Sequence, residues 1–347
     1  MTRRFPTTGL CIMPKSNSLI VTRAPLRISL AGGGTDLPVF YESSGHGAVL
    51  STAIDKYVYV TLKRHDGMFG APIRLNYSET EQVSRVDEIK NEIARECLKF
   101  TGVEPPVYIS TVADIPAASG LGSSSAFCVG LLHALHIYRG EHPSAGQLAE
   151  EAAEVEIHRL GRPVGKQDHY ASAYGGFNLF QFLSTGGVSV EPQHFQAGGL
   201  DRFFAHALLM WTGVRRNAAA VLTEQQANTP ARAIELGLIR DQAHALHVVL
   251  ANGFHADQLG LALNDGWRLK RQLASKVTTP TLDFWYERAI DAGAYGGKLC
   301  GAGGGGFFLF MVAPERREAV RTALGELREI PVGYEPQGSR VLVPQFE

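Results

Sequence analysis

Apolar positions along the chain follow two rhythms, one of period two and one near 3.6, and their alternation outlines the elements. Residues 19–30 read as a strand that ends in Ala31-Gly-Gly-Gly34-Thr35-Asp36. Over residues 49–62, Val, Ile and Tyr alternate with small or polar residues as in a pair of strands. Residues 88–101 are amphipathic and read as a helix, and 107–112 as a short strand. Phe127, Leu131, Ala134, Leu135 and Tyr138 then recur at helical spacing. Ser144 stands where it would cap a Glu- and Ala-rich helix over 147–160, and Gly175-Gly176 turns into a strand from Phe177. A Gly/Ser/Gln-rich stretch at 183–200 suggests a boundary: a flexible leader over 1–18, an N-terminal domain over 19–195 and a C-terminal domain over 196–347. The second half opens on a strand at 205–211, continues as helices over 215–271 and 284–292, and reaches a second glycine loop and the apolar run at 307–312.

With 347 residues the chain can bury a substantial core. A formal net charge of −1 gives no support for nucleic acid or an anionic membrane as partner, so any anionic ligand must be met by a few local Arg or Lys. No apolar run is long enough to span a bilayer. Arg3-Arg4 lack the apolar stretch of a signal peptide, and Met13 is an alternative start. Cys11, Cys97, Cys128 and Cys300 are scattered and suit free thiols in a reducing, cytoplasmic setting. The pairs His133/His136 and His244/His247 could in principle hold zinc, but no third ligand stands at a metal-site spacing, and structural histidines are expected.

The stretch Pro116-Ala-Ala-Ser119-Gly120-Leu121-Gly122-Ser123-Ser124-Ser125 runs straight into a helix. Glycines there let the backbone turn and approach a ligand closely, and a helix start gathers unpaired N–H groups. The combination suits a phosphate, although a simply capped helix would show the same residues. Other phosphate motifs fail on spacing. Gly161 to Gln167 is one residue short of a P-loop and has Gln where a hydroxyl is needed. Residues 301–306 satisfy G-x-G-x-x-G but precede a buried strand, whereas the dinucleotide fingerprint opens a helix.

Three motifs in order resemble the GHMP kinase superfamily: Ala24-Pro-Leu-Arg27 through Asp36, Pro116 through Ala126, and Lys298-Leu-Cys-Gly301-Ala-Gly303-Gly304 through Phe307. The resemblance implies an α+β, two-domain fold, with an N-terminal ATP-binding domain and a C-terminal ferredoxin-like domain. Within the superfamily, Gly32-Gly-Gly-Thr35-Asp36-Leu-Pro and Gly165-Lys-Gln167-Asp168-His-Tyr are most similar to the sugar 1-kinases that act on heptose 7-phosphate. Galactokinases carry a different first motif, which makes galactose a poor fit.

The resemblance also implies roles, with ATP and Mg2+ as cofactors. Pro116, Ser119, Gly120, Leu121, Gly122, Ser123, Ser124 and Ser125, together with Gly303 and Gly304, would hold the nucleotide. Ser124 and Glu156 would bind magnesium; the interval from Glu156 to Asp168 is one residue longer than in mevalonate kinase, so Glu154 is the fallback. Asp168 would be the catalytic base, with Arg27 beside it to balance charge on the phosphoryl oxygens. Thr35, Asp36, Gly301 and Arg216 would meet the substrate, with Arg162, Lys166 and Arg215 as further candidates for a sugar phosphate. The implied reaction is phosphorylation of the anomeric hydroxyl of a phosphorylated heptose to a 1,7-bisphosphate, for surface polysaccharide synthesis, by a monomer or homodimer. Fucose or another free hexose as substrate, an ATP-dependent decarboxylase, and a non-catalytic sugar sensor are the competing readings.

Overall fold

The computed structural model describes residues 19–65, 70–214 and 218–344. The expected leader, Met13, Cys11, Arg215 and Arg216 lie outside the described residues. In chain order the first half contains β1 (Leu19–Ala31), α1 (Pro38–Ser44), β2 (His46–Arg64), β3 (Ile73–Asn76), β4 (Thr80–Val83), α2 (Glu92–Thr101), β5 (Val107–Ala113) and α3 (Ser123–Tyr138). It continues through α4 (Ala145–Ala153), α5 (Gln167–Tyr174), β6 (Phe177–Leu183) and β7 (Val188–Pro192). The second half holds α6 (Gly199–His206), β8 (Ala207–Trp211), α7 (Ala218–Asn228), α8 (Ala233–Asn252), α9 (Ala256–Lys270) and α10 (Pro280–Asp291). It closes with β9 (Ala294–Leu299), β10 (Phe307–Val312), α11 (Arg317–Ala323), β11 (Arg328–Glu329) and β12 (Arg340–Pro344).

The strand pair expected over 49–62 is a single strand, β2. β1 follows it along most of its length, while β6 pairs with its first part and β5 with its last. The polar interruption at Asp55-Lys56 is a bulge: Pro25 pairs with Tyr57 and Leu26 with Ile54, so two extra residues bow out of β2. Asp55 is tied there by its amide to the Gly333 carbonyl. The helix expected over 147–160 is α4 followed by a π-helical turn at 154–159. Ser144 does cap it, accepting from the Gln147 amide at 3.1 Å. The Gly/Ser/Gln-rich stretch contains β7, and Ala205 and His206 belong to α6 rather than to the strand after it.

Two sheets result. The first has the order β12-β1-β2-β5-β3-β4, with β6 and β7 joined to the first part of β2; only β3 and β5 run parallel. The second is antiparallel, with the order β11-β8-β10-β9. Its chain order is strand, helices, strand, strand, helix, strand, which is the ferredoxin-like arrangement. The last strand, β12, crosses back to pair with β1, so hydrogen bonding assigns residues 340–344 to the first sheet.

β10 shows why residues 307–312 are apolar at every position. Successive side chains point to opposite faces. Phe307, Leu309 and Met311 enter the large core shared with the first sheet, α8 and α9. Phe308 and Phe310 join the second core with Trp267, Trp285 and Tyr286. Both faces are covered, so no polar alternation is possible. Thr22 Oγ1 donates to the Gly130 carbonyl at 2.7 Å, and Ser172 Oγ to that of Pro25 at 2.8 Å, which lock α3 and α5 onto β1.

Phe310 is fully buried and stacks on Phe308 with centroids 5.3 Å apart. Phe310→Ala should cost about 3–5 kcal/mol, measured as a lower urea midpoint at unchanged slope.

Candidate active site

The bend after β5 is shaped by Gly120 and Gly122, whose φ values of 88° and 82° a side-chain-bearing residue rarely adopts. Gly122 precedes α3 without a side-chain cap, so the three serines are not spent on helix capping. Space is short as well: a Cβ on Gly122 would sit 3.3 Å from Asp168 Oδ2 and 3.4 Å from Arg27 Cγ. Arg27 reaches this point from β1. Its Nε donates to Asp168 Oδ1 at 2.7 Å, its Nη2 to Oδ2 at 2.8 Å and its Nη1 to the Gly120 carbonyl at 2.7 Å. The two-pronged geometry fixes the plane of the carboxylate. Arg27 is buried, while the Asp168 side chain stays 23% exposed at the cleft.

Next to this pair lies a second carboxylate. Glu156 is 1% exposed and accepts from Ser124 Oγ at 2.6 Å, Ser125 Oγ at 2.7 Å, His169 Nε2 at 2.9 Å and Arg162 Nη1 at 2.8 Å. Burial pushes its carboxyl up, but the bonds and charge from His169 and the serine hydroxyls outweigh that and leave it near 2. Residues 154–159 form a π-helical turn, which takes in one more residue than an α-turn, and Glu156 lies in it. Glu156 faces Ser124, whereas Glu154, the fallback, is half-exposed and lies near Arg159.

Across the cleft, Asp36 is buried at 2% exposure and accepts from the amides of Gly34 at 3.0 Å and Gln167 at 3.2 Å. Burial first, then the charge of Asp168, raises its carboxyl above the ordinary value. Thr35, expected to meet the substrate, does not line the cleft. Its hydroxyl is fully buried and bonds the Gly32 and Ala48 backbones, closing the turn. The second glycine loop abuts the first: a Cβ on Gly306 would lie 2.2 Å from the Ser119 carbonyl oxygen. Gly301 lines the cleft beside Asp36, whereas Gly303 and Gly304 lean on Val277.

Two openings lie in this region, and the Arg27–Asp168 pair lines the narrower. A narrow one, about 80 Å³, is lined by Arg27, Asp36, Asp168, Lys270, Lys298 and Gly301 among others. A roomier one, about 650 Å³, is lined by Tyr77, Asn91, Pro116, Ser123, Ser124 and Phe127 among others. Within the expected cradle, Ser119 and Leu121 are wholly buried and Ser125 is turned onto Glu156, so Pro116, Ser123 and Ser124 are the cradle residues that line this pocket. Arg162 and Lys166, weighed for a sugar phosphate, are placed elsewhere. Arg162 binds Ser124, Glu156 and Glu92 on the roomier side, and Lys166 binds Glu150 and the Gly186 carbonyl.

Sequence reasoning missed His169, Lys270 and Lys298. Lys298 stands within the third motif, as a lone cation in an apolar and glycine stretch, and His169 within the Gly165-to-Tyr170 motif, both usable signals; Lys270 had none. The histidine pairs make ordinary contacts: His133 to Ser339, His136 to Glu141 and Glu151, His247 to Gln193 and Glu191. Cys97, Cys128 and Cys300 are buried free thiols. No helix among the described residues is long and apolar enough to cross a membrane.

A depressed carboxyl stabilises the fold above its unfolded value, and that stability is lost as pH falls through the folded one. For Glu156 the window runs from 4.5 down to about 2. Glu156→Gln should flatten the acid limb of the stability–pH curve there, removing a difference on the order of 3 kcal/mol, read by denaturant titration at successive pH values.

The family model for the GHMP kinases N terminal domain matches residues 87–176, and that for GHMP kinases C terminal matches 250–329. A D-glycero-alpha-D-manno-heptose 7-phosphate kinase of Campylobacter jejuni subsp. jejuni serotype O:2 is 33% identical, covering 88% of this chain and 93% of its own. A galactokinase of Pyrococcus furiosus is 25% identical over 90% of this chain and 94% of its own. Among solved structures, a D-glycero-D-manno-heptose 1-phosphate kinase from Bacteroides thetaiotaomicron superposes with a TM-score of 0.75 at 26% identity, covering 94% of this chain and 99% of that one. With both family halves matched in order, and the two-sheet architecture and loop geometry already described, the chain belongs to the GHMP kinases and is an ATP-dependent phosphotransferase.

Proposed function

We propose that the protein is a sugar 1-kinase that transfers the terminal phosphoryl group of ATP to the anomeric hydroxyl of a heptose 7-phosphate, giving the 1,7-bisphosphate. The observation that carries this reading is the forked Arg27–Asp168 pair, which lines the Asp36 cleft and packs against Gly122, the residue before Ser123 and Ser124 of the roomier pocket. The similarity to a heptose 7-phosphate kinase supports the choice of sugar.

In this reading the nucleotide lies in the roomier pocket. Its phosphates reach the start of α3, where the first helical N–H groups have no partner within the helix. The sugar enters the narrow cleft, whose walls must part to admit it, and one or more of its hydroxyls bond Asp36. Asp168 Oδ accepts the proton of the anomeric hydroxyl as the sugar oxygen bonds to phosphorus and the bond to the departing ADP oxygen breaks. The Arg27 guanidinium holds that carboxylate in plane and offers fixed positive charge to the phosphoryl oxygens.

Magnesium fits the donors present. Ser124 Oγ and Glu156 Oε1 are hard oxygens 2.6 Å apart beside the nucleotide pocket, and magnesium takes its remaining ligands from phosphate and water. When bound, the ion would neutralise charge on the nucleotide phosphates. The burial and hydrogen bonding of Glu156 keep it a carboxylate for that purpose.

ADP release measured side by side with heptose 7-phosphate, fucose, galactose and mevalonate should show turnover with the first; turnover confined to an unphosphorylated sugar would reject the substrate. Asp168→Asn should bind ATP nearly normally and lose about 10²–10⁴-fold in kcat. Wild-type-like turnover would remove Asp168 from the chemistry.

A further inference from the structure

The narrow cleft holds more positive charge than its chemistry so far uses. Among the described residues its charged lining is Arg27, Lys270 and Lys298 against Asp36 and Asp168. Arg27 is spent on Asp168, which leaves Asp36 facing two lysines. Lys298, on β9, is 7% exposed, and among the described residues it has no carboxylate partner. Its Nζ donates to the Leu30 carbonyl at 3.0 Å. An ammonium carries three N–H donors, so two remain beyond that bond. Burial lowers the Lys298 ammonium to about 8, helped by the charge of Arg27. Lys270 arrives from the end of α9, 8% exposed, and donates to the Gly301 and Leu299 carbonyls. Burying the Lys298 charge with no carboxylate partner among the described residues is costly unless an anion arrives with a ligand.

Position separates this cation pair from the nucleotide. Both lysines also line a small neighbouring recess with Leu30, Gly32 and Gly33, under the first glycine turn, and no residue of the Pro116–Ser124 bend lines that recess. The pocket at the bend shares no lining residue with the narrow cleft that holds the two lysines. We infer that Lys298, seconded by Lys270, forms an anion subsite at the sugar end of the cleft and takes the phosphate monoester that the substrate already carries. This assignment rests on the sugar 1-kinase reading and names the residues that make the enzyme prefer a phosphorylated sugar. Lys298 is a specificity residue. Losing it removes charge-assisted bonds made equally in the ground and transition states, so KM should carry the effect.

Lys298→Met in the full chain should raise KM for heptose 7-phosphate by roughly 10–100-fold, with KM for ATP and for the unphosphorylated heptose nearly unchanged. An unchanged KM for the phosphorylated sugar would overturn the subsite. A second measurement uses the native protein and needs neither turnover nor a folded variant: acetylation of lysines at pH 8, read by mass spectrometry. Lys298 should be modified in the free enzyme and protected by heptose 7-phosphate or by inorganic phosphate, but not by free heptose. Protection by a magnesium complex of a nonhydrolysable ATP analogue alone would assign Lys298 to the nucleotide and reject the inference. Failure of phosphate to protect, or absence of modification in the free enzyme, would reject it too. If the wild type uses only an unphosphorylated sugar, the substrate reading fails, while protection by inorganic phosphate still judges the subsite on its own.

Discussion

The fork between Arg27 and Asp168 is the contact on which the rest of the site is organised. It joins the middle of β1 to the first turn of α5, and the third guanidinium bond fastens the Gly120 carbonyl to the same point. Three segments far apart in sequence are thus held by one planar group whose five donors have a fixed geometry. Such a group cannot be exchanged for lysine without losing at least one of the three attachments. It is also why the bend needs glycine: Gly122 lies directly against both members of the pair. The conformation of the bend and the orientation of the Asp168 carboxylate are therefore one constraint.

Around that centre, three carboxylates are assigned different tasks by their surroundings. Glu156 is buried, yet two hydroxyls and a histidine hold it strongly ionised. Asp36 is buried with backbone donors alone, next to Asp168, and its carboxyl rises. Asp168 remains partly open to the cleft and is clamped by arginine. Burial alone would push all of them the same way; the hydrogen-bond donors supplied by Ser124, Ser125 and His169 make the difference.

The two halves of the molecule are coupled through β10 and the loop before it. The strand contributes to both cores, and the loop touches Ser119 at one end and lines the narrow cleft at the other. The return of β12 to β1 binds the chain terminus to the strand that carries Arg27. The narrow cleft is consequently lined by residues from both halves.

Local signals in the amino-acid order determined a good deal. The three glycine motifs, the helix after Gly122, the Ser144 cap and the buried strand at 307–312 are set by residues close together in sequence, and each was legible there. So were Arg27, Asp36, Asp168 and, with its register uncertain, Glu156. Tertiary structure decided the rest. Asp55-Lys56 looks like a turn until β1 is laid beside β2 and the residues become a bulge. It is Glu156, in the π-turn, and not Glu154 that meets Ser124, Ser125 and His169, residues distant or separated in the chain. Thr35 resembles a substrate ligand but is consumed by backbone groups thirteen residues away. Arg162 and Lys166 resemble phosphate binders in the linear chain, and their carboxylate partners are supplied by other segments. The charge of a side chain is local, but what neutralises it is not, and only the folded chain distinguishes a lysine already paired from one that still lacks a carboxylate.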